Sequence, residues 1–241
     1  IGIRDVVRRP GPRRASVRDR GRRRLALRPS RITVIYRGRD LEALGRRSRE
    51  RREHIRASEG VTSEIVFLCV GRQDYQKAHE IAVRAFSRIA REYPYSQLWL
   101  AGRAGGNTTE VEKAIEECLY RDKIRVLGER KDVSDLLCAA DFFVMPSRFE
   151  GLAGSVIEAM ALEIPLLLTD IDVFREVADN RALFFAQDND EALAQAMKIA
   201  LSGNYPSGWV DALRERTEQL FDIDQVAQDL RNFYRKTAAK R

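Results

Sequence analysis

From about residue 60 onward the apolar and polar positions change period again and again. "EIVFLCVG" (64–71) is a nearly continuous apolar run ending in glycine, the pattern of a strand buried on both faces. It leads into a segment in which Ile81, Ala82, Ala85, Phe86 and Ile89 recur at helical spacing. "QLWLAG" (97–102) repeats the strand pattern and 109–120 the helical one. "KIRVLG" (123–128) and "DFFVMP" (141–146) read as strands on either side of a short helix, "DVSDLLCAA", with Asp132 as its expected N-cap. "IPLLLTD" (164–170) and "ALFF" (182–185) are further strands, and helices are expected over 189–202, 208–220 and 223–237. On the last of these Ile223, Val226, Leu230 and Phe233 make one apolar stripe. Upstream, "RITVIYRG" (31–38) reads as a strand before a charged, loosely helical stretch.

Strands alternating with helices over short loops imply a doubly wound parallel sheet, a Rossmann-like α/β domain. Ligands of such sheets bind outside the carboxyl ends of the strands. That rule selects the loops at 71–77, 102–108, 128–132, 146–154 and 170–172.

Composition narrows the class. At 241 residues the chain can build one well-buried domain, and 44% hydrophobic with 33% charged residues suits a globular fold. No apolar run approaches the ~20 residues of a membrane-spanning helix. Cys69, Cys118 and Cys138 each lie in an apolar-periodic segment, as buried thiols of a reducing, cytoplasmic compartment would. Two histidines, His54 and His79, cannot form a histidine-based metal site unaided, and no carboxylate cluster suggests a divalent ion.

The net charge of +7 hides an asymmetry. Residues 1–60 carry 20 arginines, no lysine and 7 acidic residues, a balance of +13, so the remainder carries −6. A basic arm can tether a protein to nucleic acid or a membrane surface. Residues 1–60 hold a single aromatic, Tyr36, which leaves base stacking little to work with and argues against nucleic acid. We expect residues 1–30 to be a poorly ordered Arg-rich leader or remnant, residues 31–241 the folded domain, and the chain, which starts at Ile1, a fragment.

Two stretches carry candidate chemistry. In "GRQDYQKAH" Gly71 frees the backbone, while Arg72 and Lys77 place two cations just past a strand end, a pairing suited to a diphosphate. In "SRFEGLAGSVIEAMALEIPLLLTD" (147–170), Glu150 and Glu158 stand eight positions apart across Gly151, Ala153, Gly154 and Ser155. A helix starting near Gly154 or Ser155 would turn free amides toward the loop, and the small residues would let an anion approach that backbone. Val156, Ile157, Met160 and Ala161 would face the core and leave Glu158 accessible, able to accept two hydrogen bonds from a vicinal diol such as ribose. Phosphates at the helix end, ribose at Glu158 and a sugar at Glu150 describe a nucleotide-sugar. No glycine fingerprint of an NAD-type site follows any strand.

"VGRQDYQK", "VLGERKDVSDLLCAADFFVMPSRFEGLAGSVIEAMALEIPLLLTD" and "FREVADN" together resemble the carboxy-terminal, donor-binding domain of GT-B retaining glycosyltransferases. That group includes glycogen synthases and bacterial lipopolysaccharide and polysaccharide glycosyltransferases, and the similarity runs from about residue 30 to the end. The resemblance implies that Arg72 and Lys77 grip the donor diphosphate and that the amides of Leu152, Ala153, Gly154 and Ser155 cap its distal phosphate. It implies that Glu158 binds the ribose, that Glu150 contacts the transferred sugar, and that the loop with Glu129 and Arg130 passes the base. It further implies a UDP- or GDP-linked donor, no cofactor, and no metal. A lipid-linked acceptor would bring the protein to the inner face of the membrane.

Two departures matter. The family usually has glycine after the loop lysine, where this chain has Ala78, which is tolerable if φ stays negative. A complete GT-B enzyme also has an amino-terminal domain of comparable size, of which residues 1–60 match at most the final approach, "ITVIYRGRD". The expected activity is sugar transfer to an acceptor hydroxyl, this chain being the donor-binding half of a GT-B fold. A non-catalytic nucleotide-binding module, from a truncated or two-chain enzyme, is the alternative. An exposed Phe233 and Tyr234 would mark the surface left by the absent domain.

Overall fold

Six of the apolar runs become strands of one parallel sheet: β1 (Ile65–Val70), β2 (Ser96–Ala101), β3 (Ile124–Gly128), β4 (Phe142–Met145), β5 (Leu166–Thr169) and β6 (Leu183–Phe185). Their spatial order is β3-β2-β1-β4-β5-β6, the doubly wound arrangement expected from the alternation. The structure, a computed structural model, describes residues 33–238, so the expected leader, residues 1–30, lies outside the described residues. The chain divides after Ile35, and the whole sheet lies in the part that begins at Tyr36.

Because successive strand residues point to opposite faces, the continuous apolar runs feed two cores. Val66 and Leu68 of β1, Trp99 of β2, Phe143 and Met145 of β4 and Leu166 and Leu168 of β5 face one layer. That layer contains α2 (Arg49–Ser58), α5 (Val133–Ala139), α6 (Gly154–Ala161), α7 (Asp172–Ala178) and α9 (Trp209–Leu220), and α1 (Leu41–Leu44) packs beside it through Leu44. Phe67, Cys69, Leu98, Leu100, Val144 and Leu167 face the other, built by α3 (His79–Ile89), α4 (Thr108–Glu116) and α8 (Asp190–Leu201). Ile81, Ala82, Ala85, Phe86 and Ile89, the expected apolar face of α3, are all buried, as are the three cysteines. The last helix, α10 (Ile223–Ala238), buries none of its residues.

Three local expectations are corrected. Of the expected strand 31–38, residues 33–38 form no strand; the next residue, Arg39, makes an isolated bridge with Asp222 at the α9–α10 turn. Arg39 N donates to Phe221 O and Ile223 N to Arg39 O, which satisfies the backbone outside the sheet. The second helix stops at Glu116, and a short 3₁₀ turn, Arg121–Lys123, leads into β3. Asp132 does occupy the N-cap position of α5, but its carboxylate caps nothing there, because Arg130 takes both of its oxygens.

Arg46, Arg47, Arg51, Arg52 and Arg56 serve the fold. Arg52 and Arg56 of α2 donate to the carbonyl of Ala139, Arg47 and Arg52 to that of Ala140, and Arg52 and Arg56 also pair with Asp141. Cations on the carbonyl end of α5 complement its dipole. Arg51 pairs with Asp135 and Arg46 with Glu218, which closes α2 and the preceding loop onto the domain. Positive charge concentrated here is therefore neutralised within the chain.

Candidate functional site

In this strand order the connections leave β1 and β4 in opposite directions, so the loops that follow these two adjacent strands border the crevice of the fold. The loop after β1 carries Gly71, Arg72 and Lys77, and the loop after β4 carries Ser147, Arg148 and Glu150. Neighbouring β2 is followed directly by Gly102, where a side chain would run into the carbonyl of Gly71, so glycine is required for the two strand ends to lie so close.

Lys77 and Glu150 meet at the crevice. Lys77 Nζ lies 2.7 Å from Glu150 Oε1, and Ser147 Oγ donates to the same oxygen at 2.8 Å. The Lys77 stem passes against Gly71, the first atoms a Cβ there would touch. The Glu150 side chain is only 6% exposed, so its charge depends on these two donors. Helix α6 begins one residue past Ala153 with no side chain capping it, which leaves its first-turn amides to the loop of Gly151 and Leu152. Val156, Ile157, Met160 and Ala161 are buried as expected. Glu158, one turn along, is half-buried; burial raises its pKa above the usual carboxylate value while the charge of Arg39, 3.1 Å away, pulls it back down.

Arg72 projects outward, 52% exposed, and pairs with Asp74 in its own loop. The Arg130 guanidinium is held by Asp132 and, at 2.8 Å, by Glu59 at the end of α2. Thus Gly71, Lys77, Glu150 and the α6 terminus share the crevice, Arg72 lies on its exposed side, and Arg130 is part of a structural ion-pair network.

Two features escaped the sequence. Glu80, 4% exposed at the start of α3, ties three strand-end loops together. One oxygen accepts from Arg148 at 2.7 Å and the other from Asn107 Nδ2 at 2.8 Å. Arg148 also donates to Tyr75 O and Asp188, and its guanidinium lies 4.0 Å above the Tyr75 ring. The second is Arg39, which reaches Glu158 from far upstream. Neither pairing has a sequence signal, since each joins residues remote along the chain.

The Lys77–His79 turn departs from expectation. Ala78 adopts φ 49, ψ 41, so the left-handed region is used after all, at the position where the resembling family usually has glycine. His79, 1% exposed, has no hydrogen-bond partner on either ring nitrogen, and burial, reinforced by Lys77, pushes its pKa down to about 4. A base with a depressed folded pKa contributes stability that is present above its unfolded pKa near 6.5 and is lost as pH falls toward 4. We expect about 3 kcal/mol to disappear across that window. Denaturant unfolding of the wild type and His79→Leu at both ends should show this extra acid sensitivity in the wild type only; equal sensitivity would contradict the assignment.

The sequence and the fold both have known counterparts. Residues 50–219 match the family described as Glycosyl transferases group 1. A lipopolysaccharide core biosynthesis mannosyltransferase, LpsB, of Rhizobium meliloti is 28% identical over 175 residues, 69% of this chain and 50% of the relative. A Campylobacter jejuni N-acetylgalactosaminyltransferase, named for its diphospho-undecaprenol acceptor, is 24% identical over 206 residues, 83% of this chain and 53% of the relative. The chain thus spans about half the length of these curated relatives. The crystal structure of Anabaena Alr3699/HepE in complex with UDP and glucose superposes with a TM-score of 0.77 at 20% identity, over 86% of this chain and 57% of that one.

Proposed function

Because the chain belongs to the group 1 glycosyl transferases, we propose that it is the donor-binding half of a retaining enzyme moving a sugar from a nucleoside diphosphate to an acceptor hydroxyl. The observation that supports this reading is the ion pair of Lys77 with Glu150 at the switch point of the sheet, in the loop that leads to the uncapped start of α6. Lys77 and Arg72 hold the diphosphate and the amides of Leu152, Ala153, Gly154 and Ser155 receive its distal phosphate, with Gly151 keeping the approach open. Glu158 accepts from the ribose and Glu150 contacts the transferred sugar, whereas Arg130 shapes the base-side loop through its ion pairs.

During transfer the bond between the anomeric carbon and the phosphate oxygen breaks, its electron pair stays on the phosphate, and the acceptor oxygen bonds the sugar while its proton passes to the departing phosphate. Negative charge grows on the departing phosphate, where Lys77, Arg72 and the helix amides stabilise it without a metal ion or cofactor. Donor sugars differ between the two relatives, one being a mannosyl- and the other an N-acetylgalactosaminyltransferase, so UDP- and GDP-linked donors are both to be tried.

The α10 stripe supports a need for a further domain or partner chain. Ile223 (47%), Leu230 (41%), Phe233 (38%) and Tyr234 (64%) are exposed on a helix with no buried residue, more apolar surface than a solvated helix needs. An acceptor-side domain covering it would complete the cleft; alone, the chain would bind nucleotide without transferring sugar. Acceptors linked to lipid would place the enzyme at the cytoplasmic membrane surface; among the described residues no helix is long and apolar enough to cross a membrane.

Calorimetric titration of the 241-residue chain with UDP and GDP tests the reading. One nucleotide should bind, and Glu158→Ala should weaken it by about tenfold or more, through the lost hydrogen bonds to a charged acceptor. Binding of neither, by a chain with native circular dichroism, would overturn it.

A further inference from the structure

Arg39 is fixed at both ends. Its backbone is clamped to the α9–α10 turn by Arg39 N to Phe221 O (2.6 Å) and Ile223 N to Arg39 O (2.9 Å). Gly38 beside it has no room for a side chain, since a Cβ would sit 2.7 Å from Ile223 Cα. From this anchor the side chain crosses to α6. Nε lies 3.1 Å from Glu158 Oε1, Nη1 donates to Gly38 O at 3.2 Å, and Nη2 lies so close over Gly154 that any side chain there would overlap it.

The ion pair with Glu158 accounts for the Nε side of this arrangement only. Nη2, over the first residue of α6, faces the positive end of the helix dipole, a repulsion that a second anion in front of Gly154 would offset. Nε and Glu158 Oε1 stand as an ion pair at 3.1 Å without a well-aligned hydrogen bond, so the buried Nε–H is open to a better-placed acceptor. A buried donor left without an acceptor is costly, and supplying one recovers that cost. The space that both Arg39 and the free α6 amides border is the place assigned above to the distal phosphate.

We propose that Arg39 is a donor-binding residue, its guanidinium joining the α6 amides on the distal phosphate and adding a third cation to Arg72 and Lys77. The proposal rests on the donor-site reading and extends it to a residue outside the two strand-end loops. Glu158 then has two tasks, accepting from the ribose and holding Arg39 over Gly154. Because Arg39 is clamped to the α9–α10 turn, phosphate binding is linked mechanically to the start of α10, the helix with the exposed apolar stripe.

The test titrates wild type, Arg39→Gln and Arg39→Lys with UDP, GDP and the corresponding nucleosides, uridine and guanosine. Glutamine keeps the length and a donor without the charge, and lysine keeps the charge without the fork. For whichever diphosphate binds the wild type, Arg39→Gln should weaken it by about tenfold to a hundredfold, with Arg39→Lys between. Nucleoside affinity should stay within about twofold, because phosphate contacts do not enter it. Unchanged diphosphate affinity would overturn the proposal, as would an equal loss for diphosphate and nucleoside, which would mean that Arg39 acts only through Glu158. Tighter diphosphate binding by Arg39→Gln would also overturn it, by showing that Arg39 occludes the phosphate. If neither diphosphate binds the wild type, the donor-site reading itself falls and takes this proposal with it.

Discussion

Replacing Lys77 by alanine should cost the complete enzyme about a hundredfold in sugar transfer, the usual scale for losing one charge that faces a developing anion. It should also cost stability. Lys77 is the cation on Glu150, whose side chain is 6% exposed and would keep only Ser147 Oγ as a donor. A nearly buried carboxylate stripped of its cation costs about 3 kcal/mol, somewhat less here because the lysine end is 19% exposed. The two losses separate in the double variant. Lys77→Ala with Glu150→Gln removes the stranded charge, so most of the stability should return while transfer stays well below that of Glu150→Gln alone. Denaturant midpoints together with a transfer assay of the wild type and all three variants measure this. Recovery of transfer in the double variant to the level of Glu150→Gln alone would mean that Lys77 serves the fold and not the phosphate.

Glu80→Ala should be the most damaging single change to the crevice that touches none of its surface. Its carboxylate accepts from Arg148 and Asn107, and Arg148, 11% exposed, continues to Tyr75 O and Asp188. The loops after β1, β2 and β4 therefore share one buried anchor. Losing it leaves Arg148 with the half-exposed Asp188 as its carboxylate partner and one buried N–H unpaired, an effect of about 2–3 kcal/mol. Glu80→Gln keeps an acceptor for Arg148 and should cost less than half of that, because the hydrogen bond survives without its charge. Thermal or denaturant unfolding ranks the variants. If Glu80→Ala unfolds like the wild type, the three loops do not depend on this anchor.

What the sequence revealed follows from the range of the interaction concerned. The strands were legible because burial on both faces writes a continuous apolar run into "IVFLC" and "LLLT", a signal contained within a few residues. The start of α6 was legible for the same reason: small residues followed by Val156, Ile157 and Met160 announce both the loop and the buried face. Lys77 and Glu150 could be placed near one another because the parallel sheet sends both of their loops to the same edge.

The failures lie where a distant partner overrides local preference. "ITVIY" has the composition of a strand, yet residues 33–38 form none, and the backbone pairing nearby is that of Arg39 with the α9–α10 turn, nearly two hundred positions away. Asp132 is a good N-cap by composition, but a guanidinium two residues earlier offers its carboxylate two charged donors in place of one amide. Ala78, tolerable in place of glycine on the condition of a negative φ, is left-handed in the turn between Lys77 and His79, where alanine costs about 1–2 kcal/mol. Arg39 and Glu80 had no readable signal, because neither lies at a motif spacing from its partner.

The central claim is that the crevice between the β1 and β4 loops holds a nucleoside diphosphate. A crystal structure of the chain grown with whichever of UDP and GDP binds it tests this most directly. The account predicts diphosphate oxygens within about 3 Å of Lys77 Nζ and of the Gly154 and Ser155 amides, with ribose hydroxyls at the same range from Glu158. A nucleotide found on another surface, or lying in the crevice with its phosphates turned away from Lys77 and α6, would contradict it.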